Sequence, residues 1–392
     1  MSKIAAVPAS PGATNGTQRQ FVYIDLLKGC AAQLIVLHHL AFYGPMSDHV
    51  QAIAPELMDW LYAQARLAVQ VFLVVGGFLA ARSLSPHGAA GIAEPLGSIG
   101  RRYLKLAPPF LVATILTILA SAWASVWMTH DSISPPPGFF QLLAHVFLLH
   151  GVLGYESISA GSWYIAIDFQ LYTMWVCLLW LSARIGSEER WPWRMPVMVS
   201  ICVGASLLYF NRNSVWDDWA PYFFGSYGLG MLAWWVTHYA RRPGIVALLS
   251  MTMLLLGIFS LLVEFRSRIA VALMIACSLM LLGRARLPIP DLAQRVIGRM
   301  SAISYSVFLI HFPVCLVANA YFTRFVPPEP LLQALGMLLA WAASVAAGMA
   351  FHRWVELPLN RRFAVQRKPV GFAFQRESAQ GSVKKTHSLH ER

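Results

Sequence analysis

Apolar stretches long enough to cross a lipid bilayer recur between residues 21 and 358 of this chain. A membrane-spanning helix needs about 20 apolar residues, and its backbone must satisfy its hydrogen bonds internally because hydrocarbon offers no partners. Of the 392 residues, 57% are hydrophobic and only 12% are charged, so no polar segment is large enough to form a soluble domain with its own core. The sequence therefore predicts an all-α polytopic membrane protein.

Charges in the connecting segments predict how the chain crosses the membrane. Residues 45–59 contain acidic side chains but no Lys or Arg, which favours the outer side, whereas the basic loop with Arg101 and Arg102 is expected in the cytoplasm. Followed along the chain, this rule predicts about ten transmembrane helices with both termini cytoplasmic. Arg266 and Arg268, in a predicted outer turn, are exceptions to the rule.

Composition divides the chain into three parts. Residues 1–20 are rich in small and turn-forming residues and are expected to be a disordered cytosolic N-terminus. Residues 21–358 form the predicted transmembrane domain, and residues 359–392 are expected to be a basic, disordered cytosolic tail. The basic residues behind the net charge of +12 cluster in alternate loops, which indicates topology and contact with anionic lipid or ligand rather than with nucleic acid.

The segment 128–160 does not fit a simple alternation of helices and short loops. It contains no Lys or Arg and is therefore expected on the outer side. Its apolar run, residues 139–149, is too short to span a bilayer, which predicts a re-entrant or interfacial segment. His145 and His150 lie on this run or directly after it and are expected to face the outer side.

The first apolar stretch, residues 21–43, carries ionisable residues. Asp25 and Lys28 lie one or two turns from its cytoplasmic end, and His38 follows ten positions after Lys28, roughly 15 Å along a helix. Ionisable groups inside a membrane are costly and usually face a protein interior or a water-filled cavity, which indicates a functional site. The alternative stays open that Lys28 extends to the interface and that the histidines bond to neighbouring helices. His39, about 100° around the helix from His38, is predicted to be structural.

The polar residues of the membrane domain sort into two predicted layers. The inner layer, with Lys28, Arg101 and Arg102, is cationic and suited to phosphate groups. The outer layer combines the imidazole of His38 with the carboxylate of Asp168, a pairing suited to general-base chemistry. An acyl-coenzyme A donor would fit this arrangement, but a proton-coupled transporter could use the same residues as a relay. The residues alone favour neither.

Six short segments, in order along the chain, resemble motifs of acyltransferase family 3. The family's first helix carries an Arg/Lys-x10-His motif, which is assigned here to Lys28 and His38. Residue Asp168 stands at the first Glu of the family's WSLSVEEQFY pattern, and Phe169 replaces the second carboxylate. The other segments are 71–79, similar to FFVLSGFL, 101–108, similar to RRxxRIxP, 303–311, similar to ISYSLYLWH, and 355–358, similar to VExP. The resemblance extends from about residue 20 to residue 362.

The resemblance implies an O-acyltransferase. Such a protein would move an acyl group, most often acetyl, from cytosolic acyl-CoA to a hydroxyl of a carbohydrate or other acceptor across a bacterial-type inner (cytoplasmic) membrane. The chain resembles the stand-alone form, without a C-terminal esterase-like domain. Acyl-CoA, with acetyl-CoA expected, is a co-substrate, and no permanently bound cofactor is implied. The five cysteines lie in apolar segments without CxxC spacing, so neither disulfides nor a metal site is expected.

The resemblance also suggests roles for individual residues. His38 would act as the general base, and Asp168 would orient an imidazole or the acceptor. The residues expected to bind acyl-CoA are Lys28, Asp25, Arg101 and Arg102. The residues expected to support the acceptor or the structure are Trp163, Tyr164, His311 and Glu356.

Two other classes of function remain open. A transporter or exporter of a glycan or an acylated small molecule would move its substrate without transfer chemistry. A structural subunit of a polysaccharide-synthesis complex would show neither activity alone.

Overall fold

A computed structural model describes residues 21–89, 92, 94–185, 193–283 and 288–364. Within these ranges the chain forms fourteen α-helices and no strands. The helices are α1 (Val22–Phe42), α2 (Pro45–Val50), α3 (Pro55–Ala63), α4 (Val69–Leu84), α5 (Pro95–Ala124), α6 (Phe139–Val146), α7 (Ser162–Ile185), α8 (Arg194–Leu208), α9 (Ala220–His238), α10 (Pro243–Val263), α11 (Ser267–Leu282), α12 (Asp291–Phe325), α13 (Pro330–Phe351) and α14 (Leu357–Ala364). The predicted N-terminal segment 1–20 and residues 365–392 of the predicted tail lie outside the described residues.

Eight helical segments among the described residues are long and apolar enough to cross a membrane. They are Val22–Phe42, Pro55–Leu84, Pro95–Ala124, Ser162–Ile185, Arg194–Arg212, Pro243–Val263, Asp291–Phe325 and Pro330–Phe363. The prediction of an all-α polytopic membrane protein is confirmed. The two remaining predicted spans correspond to α9 and the shorter apolar helix α11, while the count of ten and the cytoplasmic termini stay predictions.

Helix α9 is the central helix of the bundle. Seventeen of its 19 residues are buried, and it packs against α4, α7, α8, α10 and α11. A helix that is apolar on all sides is expected in such an interior position. Its closest neighbour is α4, where glycines bring the two backbones together: a Cβ at Gly77 would lie 1.8 Å from the Tyr227 carbonyl oxygen, and one at Gly230 would lie 1.9 Å from the Val74 carbonyl oxygen.

Helix boundaries correct two expectations. Helix α5 begins at Pro95, so Arg101 and Arg102 lie on its second and third turns rather than in a loop. At the other end of the domain, α14 continues the chain as a helix to Ala364, six residues into the segment that was expected to be a disordered tail. In both cases the helix continues beyond its apolar part as an amphipathic or basic end. Hydropathy alone does not show where such a helix begins or ends.

The two arginines that are exceptions to the charge rule have local partners at the turn that was predicted to be outer. Arg266 donates to the Glu264 carboxylate at 2.8 Å and 2.7 Å and also to the backbone oxygens of Asn211 and Arg212. Arg268 donates to the Tyr222 hydroxyl. Because both side chains are paired with neighbouring residues, they stabilise the turn between α10 and α11. Their charge is therefore not a guide to the side of the membrane on which this turn lies.

The segment between α5 and α7 folds back into the bundle. Its helix α6 is eight residues long, and the Tyr103 hydroxyl of α5 donates to the Val146 carbonyl oxygen at 2.7 Å. Tyr103 lies in the first third of α5, so the chain returns deep along the helix that it has just left, as a re-entrant segment does. His145 and His150, which were expected to face the outer side, are both fully buried within the bundle.

We expect Gly77→Ala to destabilise the protein strongly. The new methyl group would overlap a backbone oxygen of α9, which cannot move aside as a flexible side chain could. The free energy of unfolding should fall by about 3 kcal/mol or more, the upper end of the range for overpacked cores. The measurement is the thermal unfolding midpoint in detergent, followed by tryptophan fluorescence.

The matched control is Gly100→Ala on α5, where no atom lies within 4 Å of the added Cβ. This substitution should leave the midpoint unchanged or raise it slightly, because alanine is the better helix former. Equal midpoints for the two variants would contradict the described α4–α9 contact.

Candidate active site

Three histidines gather between α1, α3 and α12. His38 and His39 are adjacent on α1, so their rings point about 100° apart and reach different neighbours. His39 Nδ1 lies 2.6 Å from His311 Nε2, and these two rings stack with centroids 4.9 Å apart. His38 Nδ1 lies 3.0 Å from the Leu61 carbonyl oxygen. All three side chains are buried within the protein rather than directed into lipid.

The hydrogen bonds determine the tautomers of the neutral rings. A backbone carbonyl only accepts, so His311 Nδ1, 3.1 Å from the Val307 oxygen, carries a proton and its Nε2 accepts. His39 Nδ1 must therefore donate to that Nε2, which leaves His39 Nε2 with a free lone pair. By the same reasoning His38 donates from Nδ1 to Leu61, and its Nε2 is an acceptor. Each α1 histidine thus presents an unprotonated Nε2.

The assignment of the Arg/Lys-x10-His motif requires a correction. Nine residues lie between Lys28 and His38, whereas ten lie between Lys28 and His39. The stated spacing therefore selects His39, the ring that is oriented by His311. His39, predicted to be only structural, and His311, predicted to be a supporting residue, form one hydrogen-bonded pair.

The position predicted for Asp168 is wrong. Its carboxylate pairs with the Arg102 guanidinium at 2.5 Å instead of with a histidine, and Asp168 is largely buried. The reason is the re-entrant segment: α7 starts beside Phe308, at the midpoint of α12, because Gly161 packs against that ring. Six residues further on, the chain has already reached the depth of Arg102 in the inner half of the bundle.

Around this ion pair lies an inner layer of mixed charge. Lys28 is within electrostatic range of the carboxylates of Asp25 and Glu356, and Lys105 is within range of Lys28 and Arg102. The layer therefore combines three cations with three carboxylates, and is not simply cationic as expected. Lys105 was not among the predicted residues, although its position three residues after Arg102 places both on one helix face.

The carboxylates of the inner layer also accept hydrogen bonds from α12. Asp25 accepts from the Ser301 hydroxyl at 2.6 Å, and Glu356 accepts from the Ser306 hydroxyl at 2.6 Å. Glu356 also lies 2.8 Å from His352 Nδ1 within a π-helical turn, a feature often found at functional sites. No sequence pattern indicated the two serines, because their partners come from distant helices.

Of the predicted acyl-CoA-binding residues, only Arg101 is not brought into the inner layer. It is exposed and donates to the Ser98 hydroxyl at 2.9 Å. Lys105, four residues further along the same helix, is exposed too. These two basic side chains remain accessible at the edge of the layer, whereas Arg102 is occupied by Asp168.

Aromatic side chains separate the inner layer from the histidines. Tyr164 packs on Phe308 with ring centroids 5.3 Å apart, and Phe72 lies 6.0 Å and 6.3 Å from these two rings. Trp163 packs beside them against Phe223. Ser301 and His311 are ten residues apart on α12, so the charged layer and the histidines are separated by roughly 15 Å.

The re-entrant segment contributes two further buried imidazoles. The rings of His145 and His150 stack with centroids 4.0 Å apart. Burial, with the neighbouring His145 as a second cause, lowers the pKa of His150 to about 3, so this ring is neutral at physiological pH. Neither of its nitrogens has a hydrogen-bond partner among the described residues. Sequence reasoning singled out both histidines on a re-entrant or interfacial segment but did not predict that their rings would stack in the interior.

Comparisons with known proteins identify the family of this chain. A relative of the nematode Caenorhabditis elegans, named regulator of hypoxia-inducible factor 1, is 29% identical over 133 residues, which are 34% of this chain and 25% of the relative. The chain thus matches about a quarter of that protein's length. No solved structure matches significantly. The family model described as an acyltransferase domain matches residues 21–351, and the chain therefore belongs to acyltransferase family 3.

Proposed function

We propose that this membrane acyltransferase moves an acyl group from cytosolic acyl-CoA to a hydroxyl of a carbohydrate acceptor. The observation that carries the proposal is that one helix, α1, holds both Lys28 in the charged layer and His39 among the buried histidines. Eleven positions separate these residues, or about 16 Å along the helix. A donor with phosphates at one end and a thioester at the end of a long arm fits that separation.

The phosphates of acyl-CoA bind at the accessible basic edge of the inner layer. Arg101 and Lys105 are exposed on one face of α5, and Lys28 extends the basic surface toward α1. Charge-assisted hydrogen bonds from such side chains to phosphate are the strong ones. Arg102 has a different role, because its pairing with Asp168 ties α5 to α7.

His39 is the general base. Its free Nε2 takes the proton of the acceptor hydroxyl while the hydroxyl oxygen attacks the thioester carbonyl carbon, and His311 stabilises the protonated ring through Nδ1. When the tetrahedral intermediate collapses, the C–S bond breaks and the coenzyme A sulfur receives the proton from His39. The products are an ester and free coenzyme A thiol.

The acyl group is expected to be small, with acetyl as the first candidate, and the acceptor is reached from the outer side of a bacterial-type cytoplasmic membrane. The support for an outer acceptor is the position of the histidines near the C-terminal end of α1, which the loop charges predict to be the outer end. Acyl-CoA would thus enter from one side of the membrane, and the acceptor from the other.

The function is tested with cells that contain or lack the gene. Mass spectrometry of the surface carbohydrate should show an acetyl ester that disappears with the gene. In parallel, the purified protein in nanodiscs should release coenzyme A thiol from acetyl-CoA when a carbohydrate-lipid extract of the deletion cells is added. Glycan export that continues without thiol release would instead identify a transporter.

We expect His39→Gln to reduce kcat by about 10²–10⁴-fold, the usual contribution of a general base. The amide keeps a similar size and can still contact His311, but it cannot take a proton at Nε2. His38→Gln is the matched comparison on the neighbouring position and should reduce kcat less. The reverse order of the two effects would reassign the base to His38.

We expect Lys105→Gln to raise the KM for acetyl-CoA about tenfold and to leave kcat nearly unchanged. A charge-assisted hydrogen bond contributes about 1.5–3 kcal/mol, and about 1.4 kcal/mol corresponds to a tenfold change in affinity. The control is Arg295→Gln, which removes the same charge from an exposed position near the start of α12. An equal KM for the two variants would show that Lys105 does not bind the phosphates.

A further inference from the structure

Helix α7 begins inside the protein, next to a small cavity. The cavity lies between Phe110 of α5, Ser162 at the start of α7, and Phe308 and Leu309 of α12. Its volume is about 10 Å³, which is room for one water-sized group. A helix of 24 residues thus directs its N-terminus at a space for a single oxygen atom or a group of similar size.

The start of α7 presents hydrogen-bond donors to this space. The first turn of an α-helix leaves backbone N–H groups without intrahelical acceptors, and the helix dipole makes this end favourable for negative charge. The Ser162 hydroxyl is a second, independent donor: the residue is 1% exposed, lines the cavity, and its Oγ has no partner among the described residues. A buried hydroxyl without a partner is costly unless a ligand supplies one.

The cavity lies close to the histidines. Phe308 and Leu309 precede His311 by three and two residues on α12, so the cavity is about one helical turn from the His39–His311 pair. The ring centroids of Phe308 and His311 are 6.1 Å apart. A thioester carbonyl next to His39 can therefore direct its oxygen toward the start of α7.

The re-entrant segment holds this helix start in place. His145 Nδ1 donates to the Gln141 carbonyl oxygen at 2.8 Å, and His145 Nε2 accepts from the Ile158 N–H at 3.2 Å. The chain then turns at Ser159, whose carbonyl oxygen accepts from the Ser162 N–H at 3.0 Å. These bonds fix the backbone just before α7 and so fix the direction of its first turn.

We propose that the Ser162 hydroxyl and the backbone N–H groups that follow Ser162 in the first turn of α7 bind the thioester carbonyl oxygen and stabilise its negative charge during acyl transfer. The inference rests on the proposed function. As the acceptor oxygen bonds to the carbonyl carbon, the C=O electron pair moves onto the oxygen, where these donors face it. The pair returns when the C–S bond breaks, and the thiolate takes the proton held by His39.

The test compares Ser162→Ala with Ser182→Ala. Ser182 is a buried serine on the same helix whose hydroxyl likewise has no partner among the described residues, but it lies 20 residues, or about 30 Å, further along. Ser162→Ala should lower kcat about 100-fold, the lower end of the range for loss of one such donor, with an unchanged KM for acetyl-CoA. Ser182→Ala should keep the kcat of the unsubstituted protein.

Thermal unfolding separates this role from a structural one. Because the Ser162 hydroxyl has no hydrogen-bond partner within the part of the chain that the structure describes, its removal should leave the unfolding midpoint unchanged or raise it. A lowered midpoint with a proportional loss of active protein would assign Ser162 a structural role and overturn the inference. An undiminished kcat would overturn it too, while leaving the proposed function intact. Absence of thiol release from the unsubstituted protein would refute both.

Discussion

A polar side chain inside a membrane helix must find its partner within the protein, and the pairing of α1 with α12 meets this requirement twice. Near the inner end, Ser301 donates to Asp25, and further out His311 accepts from His39. Both contacts lie between the same two helices, which run parallel. The rise per residue of these helices therefore sets the distance between the charged layer and the histidines. The proposed chemistry depends on that fixed spacing.

Much of this architecture was readable from the sequence, because helix length and loop charge are local properties. Lys28 and His311 were recognisable as ionisable residues in apolar stretches, and the structure places them in two layers. The depth of Asp168 was not readable. It depends on where α7 starts, and that start is shifted inward by the fold-back of the segment before it, which is a tertiary effect without a periodic signal.

The inner layer shows a second limit of sequence reasoning. Counting basic residues suggested a cationic surface, but Arg102 and Asp168 are 66 positions apart, and only the packing of α5 on α7 brings them together. A buried guanidinium without a carboxylate would be strongly destabilising, so the pair is a structural requirement. The cations available to a phosphate are therefore those at the exposed edge, Arg101 and Lys105, of which one was predicted and one was missed.

The Arg102–Asp168 pair also explains how the start of α7 is held in a defined position. Asp168 lies six residues after Ser162, less than two helical turns away, so the ion pair fixes both the height and the rotation of α7 relative to α5. A helix start at this depth is tolerated because the backbone there is buried in protein: the Ile158 N–H donates to His145, and the Ser162 N–H donates to the Ser159 carbonyl oxygen. Helix α7 thus carries Asp168, which anchors it in the charged layer, and, at its start, the hydrogen-bond donors that lie near the histidines. Under the proposed function, Asp168 therefore acts by positioning α7 rather than by transferring a proton.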